Sequence, residues 1–201
     1  MAYSDFTLKK VKLDFNIQTI EHDSLFSEIQ EVPISDYLAQ TLKRNVPLAL
    51  AINTEKARSE LIIINILLEV KEKFSDKISL FSGIDFNVDK EKGLNGFCDY
   101  IISGSEEQLY LDVPVIAIVE AKNENIISGL GQCIAQMYAV QLFNQAENQN
   151  LSCVYGAVTT GDEWKFVKLE KNVAYIDKDL YYMSDIKKII GILVKMANLA
   201  C

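Results

Sequence analysis

Apolar positions recur at spacings of three and four where Ala57, Leu61, Ile64 and Leu68 trace one stripe, predicting an amphipathic helix to about Phe74. Its entry, Asn53-Thr54-Glu55-Lys56, supplies a polar cap and an early acid. Alternating Ile, Phe and Val over 78–88 predict a strand, and a turn comes next at 92–96. Residues 97–102 read as a second strand, and the turn material of 103–108 folds it into a hairpin with the succeeding segment. From 113 to 119 the chain is uninterruptedly apolar, as in a central strand buried on both faces, with Pro114 at its entrance.

A long helix is predicted over 126–145, with Ile127, Leu130, Ile134, Met137 and Gln141 along one side. Strands at 153–158 and 164–169 flank Thr160-Gly161-Asp162, and 185–199 forms a closing amphipathic helix. Ahead of all this, 5–20 holds strand-like segments and 34–45 a short helix after Pro33. We read 1–50 as an N-terminal extension packed on a domain of 51–201, within one compact unit. The order of elements gives a mixed α/β domain around one central sheet.

Composition narrows the chemistry. The chain has 201 residues, 49% hydrophobic and 24% charged, enough to bury a core without disulfides or structural metals. Its four cysteines are scattered with no CxxC spacing, which disfavours a zinc ribbon and a disulfide framework and suits a reducing cytosol. No apolar run reaches the roughly 18 residues of a membrane span, and residues 1–6 lack a signal-peptide layout, so a cytoplasmic protein is expected.

The single histidine, His22, lies between Glu21 and Asp23 in a polar stretch and reads as surface. Histidine-based catalysis is therefore out of reach, and carboxylates, lysine or hydroxyls must carry any reaction. A net charge of −8 and only two arginines, Arg44 and Arg58, argue against a protein whose task is to coat nucleic acid. Trp164 reads as core rather than as a base-stacking platform.

Charge returns at the end of the buried run. In an extended strand Ile116, Ile118, Glu120 and Lys122 share a face, so the strand delivers a carboxylate and an ammonium beside a dry core. Asp99, on the preceding strand, can approach Glu120 across the hairpin. Two carboxylates brought together repel unless a cation separates them, and magnesium prefers such oxygen ligands while keeping its waters. The Ala121 carbonyl offers a third oxygen, and Lys122 can hold an attacking water or offset charge on a phosphate. The competing reading is a structural ion-pair cluster closing a sheet end.

Asp99 followed by Glu120-x-Lys122 at the end of an apolar strand resembles the PD-(D/E)xK nuclease superfamily, the restriction-endonuclease-like fold. The resemblance implies an αβββαβ core over about 55–160 and a Mg²⁺- or Mn²⁺-dependent nuclease acting on DNA. It implies Asp99, Glu120 and Ala121 as metal ligands and Lys122 as the catalytic cation. It further implies a helix glutamate, Glu60 with Glu55 second, and a glutamine, Gln132, in a Q-x-x-x-Y pattern. Gln136 replaces that tyrosine, and Cys98 stands where the family carries proline. A homodimer would let two strands be cut. The alternative within the same fold is a catalytically inactive nucleic-acid or protein interaction module.

Overall fold

Thr7 caps a helix where the pattern of 5–20 predicts strand: its hydroxyl accepts the Lys10 N–H at 3.3 Å and α1 spans Leu8–Asp14. Leu8, Val11 and Phe15 fall at helical spacing and face the core. Only β1 (Gln18–Ile20) is strand in this stretch. The computed structural model that gives these elements describes residues 1–198.

Helix α2 (Asp36–Ile52) outruns the predicted 34–45 and contains Pro47. Pro47 is exposed, so the carbonyl it strands can bond water, while buried Leu42, Asn45 and Ala49 keep the helix docked. This helix crosses the 50/51 boundary, and β1 joins the sheet, so the N-terminal residues are woven into the domain. Ser35 caps α2 by accepting the Leu38 N–H at 3.0 Å. Glu69, from a later helix, accepts both the Ser35 N–H at 2.9 Å and its hydroxyl at 2.6 Å.

The predicted helix at 55–74 is interrupted. Thr54 caps α3 (Glu55–Arg58), a π-helical turn occupies Ser59–Ile63, and α4 runs over Ile64–Lys73. Within the π turn the Ile64 N–H reaches back to the Ser59 carbonyl. Asn45 and Asn65 donate to the Leu61 carbonyl at 3.1 and 3.0 Å, and the Tyr100 hydroxyl donates to that of Ser59 at 3.0 Å. The extra residue rotates the buried face, which becomes Ile62, Ile63, Ile66, Leu67 and Val70, whereas Leu68 of the predicted stripe is 43% exposed.

The remaining strands are β2 (Ser79–Asp85), β3 (Phe97–Ser103), β4 (Val115–Ala121), β5 (Val154–Thr159), β6 (Glu163–Glu170), β7 (Val173–Ile176) and β8 (Tyr181–Tyr182). The helices are α5 (Ile126–Ala146) and α6 (Ile186–Ala197); the predicted end of the latter at Leu199 lies outside the described residues. One mixed sheet runs β1-β7-β6-β5-β4-β3-β2, with β8 on β6. The β2–β3–β4 meander is antiparallel, and β5 lies parallel to β4. Apolar layers cover both faces: α2, α4 and α6 pack on one, α1 and α5 on the other.

Where the β3–β4 register shifts between Ile102 and Ser103, Ile116 is the extra residue on β4 and falls in the α4 layer, so it does not share the face of Ile118 as strict alternation predicts. Trp164 is fully buried, and His22 is exposed. Cys98 and Cys133 are buried free thiols as expected, but Cys153 is disulfide-bonded, against the expectation drawn from the spacings.

Among the described residues α5 is the one helix long and apolar enough to cross a membrane, and it is packed inside the fold. At Gly131 the N-terminal segment presses on it: an added Cβ would stand 2.5 Å from the Phe6 carbonyl oxygen and 2.6 Å from the Leu8 nitrogen. Both are backbone atoms that cannot rotate away. Gly131→Ala should therefore destabilise the fold by about 1–3 kcal/mol, seen as a lower urea midpoint. An unchanged midpoint would show that this docking adds nothing.

Candidate metal centre

Strand pairing brings the predicted centre together. The last cross-strand pair of β3 and β4 is Tyr100↔Val119, and one step further Asp99 stands across from Glu120. Asp99 accepts the Ala121 N–H through Oδ2 at 2.8 Å. Parallel pairing to β5 extends past the carboxylate, where the Lys122 N–H donates to the Thr159 carbonyl at 2.8 Å. Both acids and the lysine are thus fixed by main-chain bonds at a sheet end.

Glu120 is 1% exposed, and both of its oxygens are occupied. The Lys122 ammonium lies 2.6 Å from Oε1, and the Gln136 amide donates to Oε2 at 3.0 Å. Lys122 reaches that position by laying its stem over Gly129 of α5, where a Cβ would stand 3.0 Å from Lys122 Cγ and 2.7 Å from Val158 Cγ1.

Burial pushes the Glu120 carboxyl up to about 7, with Asp99 adding to the shift and Lys122 and Gln136 opposing it. Burial also raises Asp99, against the pull of the Ala121 N–H, Lys122 and a hydrogen bond to Glu120. Burial alone would lower Lys122, but Glu120, Glu55 and Asp99 outweigh it and the net shift is upward. Lys122 is therefore an ammonium at neutral pH. It can offset negative charge but cannot serve as a base.

A cleft of about 370 Å³ opens on Asp99, with Glu55, Lys56, Ser59, Glu60 and Tyr100 among its lining, while Glu120 lies buried behind it. The π turn and α3 form one wall, and the Tyr100 hydroxyl ties that wall to β3 through Ser59 Oγ at 2.6 Å. Arg58 holds the rim by donating to the Thr160 carbonyl at 2.9 Å and to Asp162. Its role is structural.

The outer candidates fare differently. Glu60 does line the cleft, but its side chain is 64% exposed and lies 3.7 Å from Lys56. Glu55 lines it too and acts on Lys122 electrostatically. Gln132 makes no hydrogen bond to the centre; one helical turn later Gln136 takes that place. The signal was in the sequence: Gln136 is the polar residue among Cys133, Ile134, Met137 and Val140, all buried on α5.

Do these groups suit a divalent cation? Among the described residues no three acids, thiols or imidazoles converge as a complete cage. Magnesium needs none, since it takes one or two carboxylates and keeps several waters. Burial raises both carboxyls, and Lys122 supplies one positive charge against the two acids. Gln136 Oε1 is buried with no hydrogen-bond partner, an omission that costs about 1–3 kcal/mol. Two carboxyls that share one cation, one on an open cleft and the other beside an unpartnered oxygen, fit a hydrated Mg²⁺ or Mn²⁺. Comparison with protein-family models, with curated proteins and with solved structures returns no match to this chain.

Proposed function

We propose that the protein is a metal-dependent nuclease that hydrolyses DNA phosphodiester bonds. The observation that carries this reading is Asp99 on the wall of an open cleft, hydrogen-bonded behind it to buried Glu120, which in turn holds Lys122. The order of α3 and α4, then β2, β3, β4, α5 and β5 matches the αβββαβ plan of the restriction-endonuclease-like fold and supports membership of the PD-(D/E)xK superfamily.

Asp99, Glu120 and the Ala121 carbonyl would hold Mg²⁺ or Mn²⁺, which when bound polarises a phosphate oxygen and lowers the pKa of a water. The Ala121 N–H orients Asp99 and leaves its other oxygen free of main-chain partners. Lys122, kept protonated on Glu120 behind the cleft wall, would offset negative charge at the centre. Glu60 and Glu55 make the rim acidic, so a polyanion gains little from this cleft until a cation is present.

The same acidity favours a second reading, a catalytically inactive interaction module of the same fold. Lys56 is the cleft's one lining cation among the described residues. Plasmid nicking in Mg²⁺, Mn²⁺ and EDTA, beside calorimetric Mn²⁺ titration, separates the two. The nuclease is expected to nick only with metal. Mn²⁺ uptake without nicking would favour the module, and neither result would leave a structural ion pair. A homodimer, recognisable by light scattering, would place two such clefts on one duplex.

A further inference from the structure

We infer that Gln136 is a positioning residue of this centre, holding Glu120 where a divalent cation needs it; this rests on the metal-centre reading above. Gln136 is fully shielded from solvent, and its one hydrogen bond goes to Glu120 Oε2. Its neighbours on the inner face of α5, Cys133, Ile134, Met137 and Val140, are equally buried and none carries a charge. Its amide oxygen has no partner. An apolar side chain of similar length would suit the packing of α5 but would take the donor from buried Glu120 Oε2, so the glutamine serves Glu120 rather than the helix.

The geometry gives Gln136 a task that Lys122 cannot perform alone. Lys122 holds Oε1 with a flexible stem that is one-fifth exposed, so it leaves the carboxylate plane free to turn. Gln136 holds Oε2 from a rigid helix packed directly on β4 and β5. Two donors on two oxygens fix both the position and the plane of the carboxylate. Mg²⁺ and Mn²⁺ demand defined oxygen positions, and partners that orient a ligand carboxylate set its metal affinity. The unpartnered oxygen lies in the same amide as the donor, beside the carboxylate. Water carried by a hydrated cation is a donor that such an oxygen lacks. Gln132, partly exposed and unbonded to the centre, has no such task.

The test compares wild type, Gln136→Met, Gln136→Leu and Gln132→Leu by calorimetric Mn²⁺ titration and Mn²⁺ electron paramagnetic resonance, with thermal unfolding in EDTA as the folding measure. Both Gln136 variants are expected to stay folded in EDTA, with unfolding temperatures within a few degrees of wild type, since the lost donor to Glu120 is offset by removal of the unpaired amide oxygen. Their Mn²⁺ affinity should fall about 10- to 100-fold with an altered resonance line shape, and Gln132→Leu should match wild type. A folded Gln136 variant that binds Mn²⁺ within about twofold of wild type overturns the inference. Loss of folding in both variants in EDTA also overturns it, because Gln136 would then serve the core. If wild type takes up no Mn²⁺, the metal-centre reading itself fails and carries this one with it. Normal uptake in wild type and variants alike removes the role of Gln136 alone.

Discussion

Asp99→Ala and Lys122→Ala are expected to lower Mn²⁺-supported plasmid nicking by at least about a hundredfold each, for different reasons. Asp99 lines the cleft, and the Ala121 N–H orients it. Its removal takes away one of the two candidate carboxylate ligands, so Mn²⁺ affinity should fall together with rate. Lys122 is no ligand. It is an ammonium bonded to Glu120, and its loss leaves two carboxyls without their fixed counter-charge. Lys122→Ala should therefore still bind Mn²⁺, more tightly if anything, while single-turnover cleavage at saturating metal collapses. Lys122→Met, which keeps the stem over Gly129, should behave the same way and shows that charge rather than packing is at stake. Glu60→Gln should matter far less, because that side chain is mostly solvated and already beside Lys56. Nicking that survives both the Asp99 and Lys122 substitutions would remove the nuclease assignment.

The centre was legible because it breaks a pattern. An apolar run that turns into Glu-Ala-Lys announces groups carried to the end of a buried strand, and β4 does carry them there. Asp99 was legible because a hairpin with fixed register leaves few places for it. What stayed hidden depends on distant partners. The π turn at Ser59–Ile63 is sustained by Asn45, Asn65 and Tyr100, of which only Asn65 is near in sequence, so helical spacing alone pointed to the wrong face of α4. Strand β1 was hard to separate from its surroundings because it is three residues long and pairs with β7, more than 150 positions away. The exchange of Gln132 for Gln136 has a similar cause. Both fit a polar helix position in the sequence, and only the packing of α5 on β4 decides which one faces Glu120.

Stability in EDTA should fall as pH rises through the range where Glu120 titrates. Burial and the adjacent Asp99 raise this carboxyl from 4.5 to about 7, so the folded protein holds the proton more tightly than the unfolded chain. The stability that the proton confers is complete below about pH 4.5, declines as pH rises, and is gone above about 7. A shift of this size corresponds to roughly 3 kcal/mol, and Asp99 titrates in the same sense. Glu120→Gln, with similar shape and no charge to bury, should lose most of the slope. At pH 8 in EDTA it should be more stable than wild type by about 1–3 kcal/mol, read from urea midpoints. Saturating Mn²⁺ should reverse the ranking at that pH. A bound cation would replace the proton in offsetting the two carboxylates and would stabilise wild type by about 2.7 kcal/mol at a hundredfold excess over its dissociation constant, while the variant would gain little. A wild-type stability that stays flat from pH 5 to 8 in EDTA would mean that the two carboxyls are far better solvated than their burial indicates. The same protons compete with metal, so nicking should rise through about pH 7 as EDTA stability falls. Opposite slopes for stability and activity are the expected signature of the proposed centre, because burial disfavours the charged form of both carboxyls while metal binding would require it.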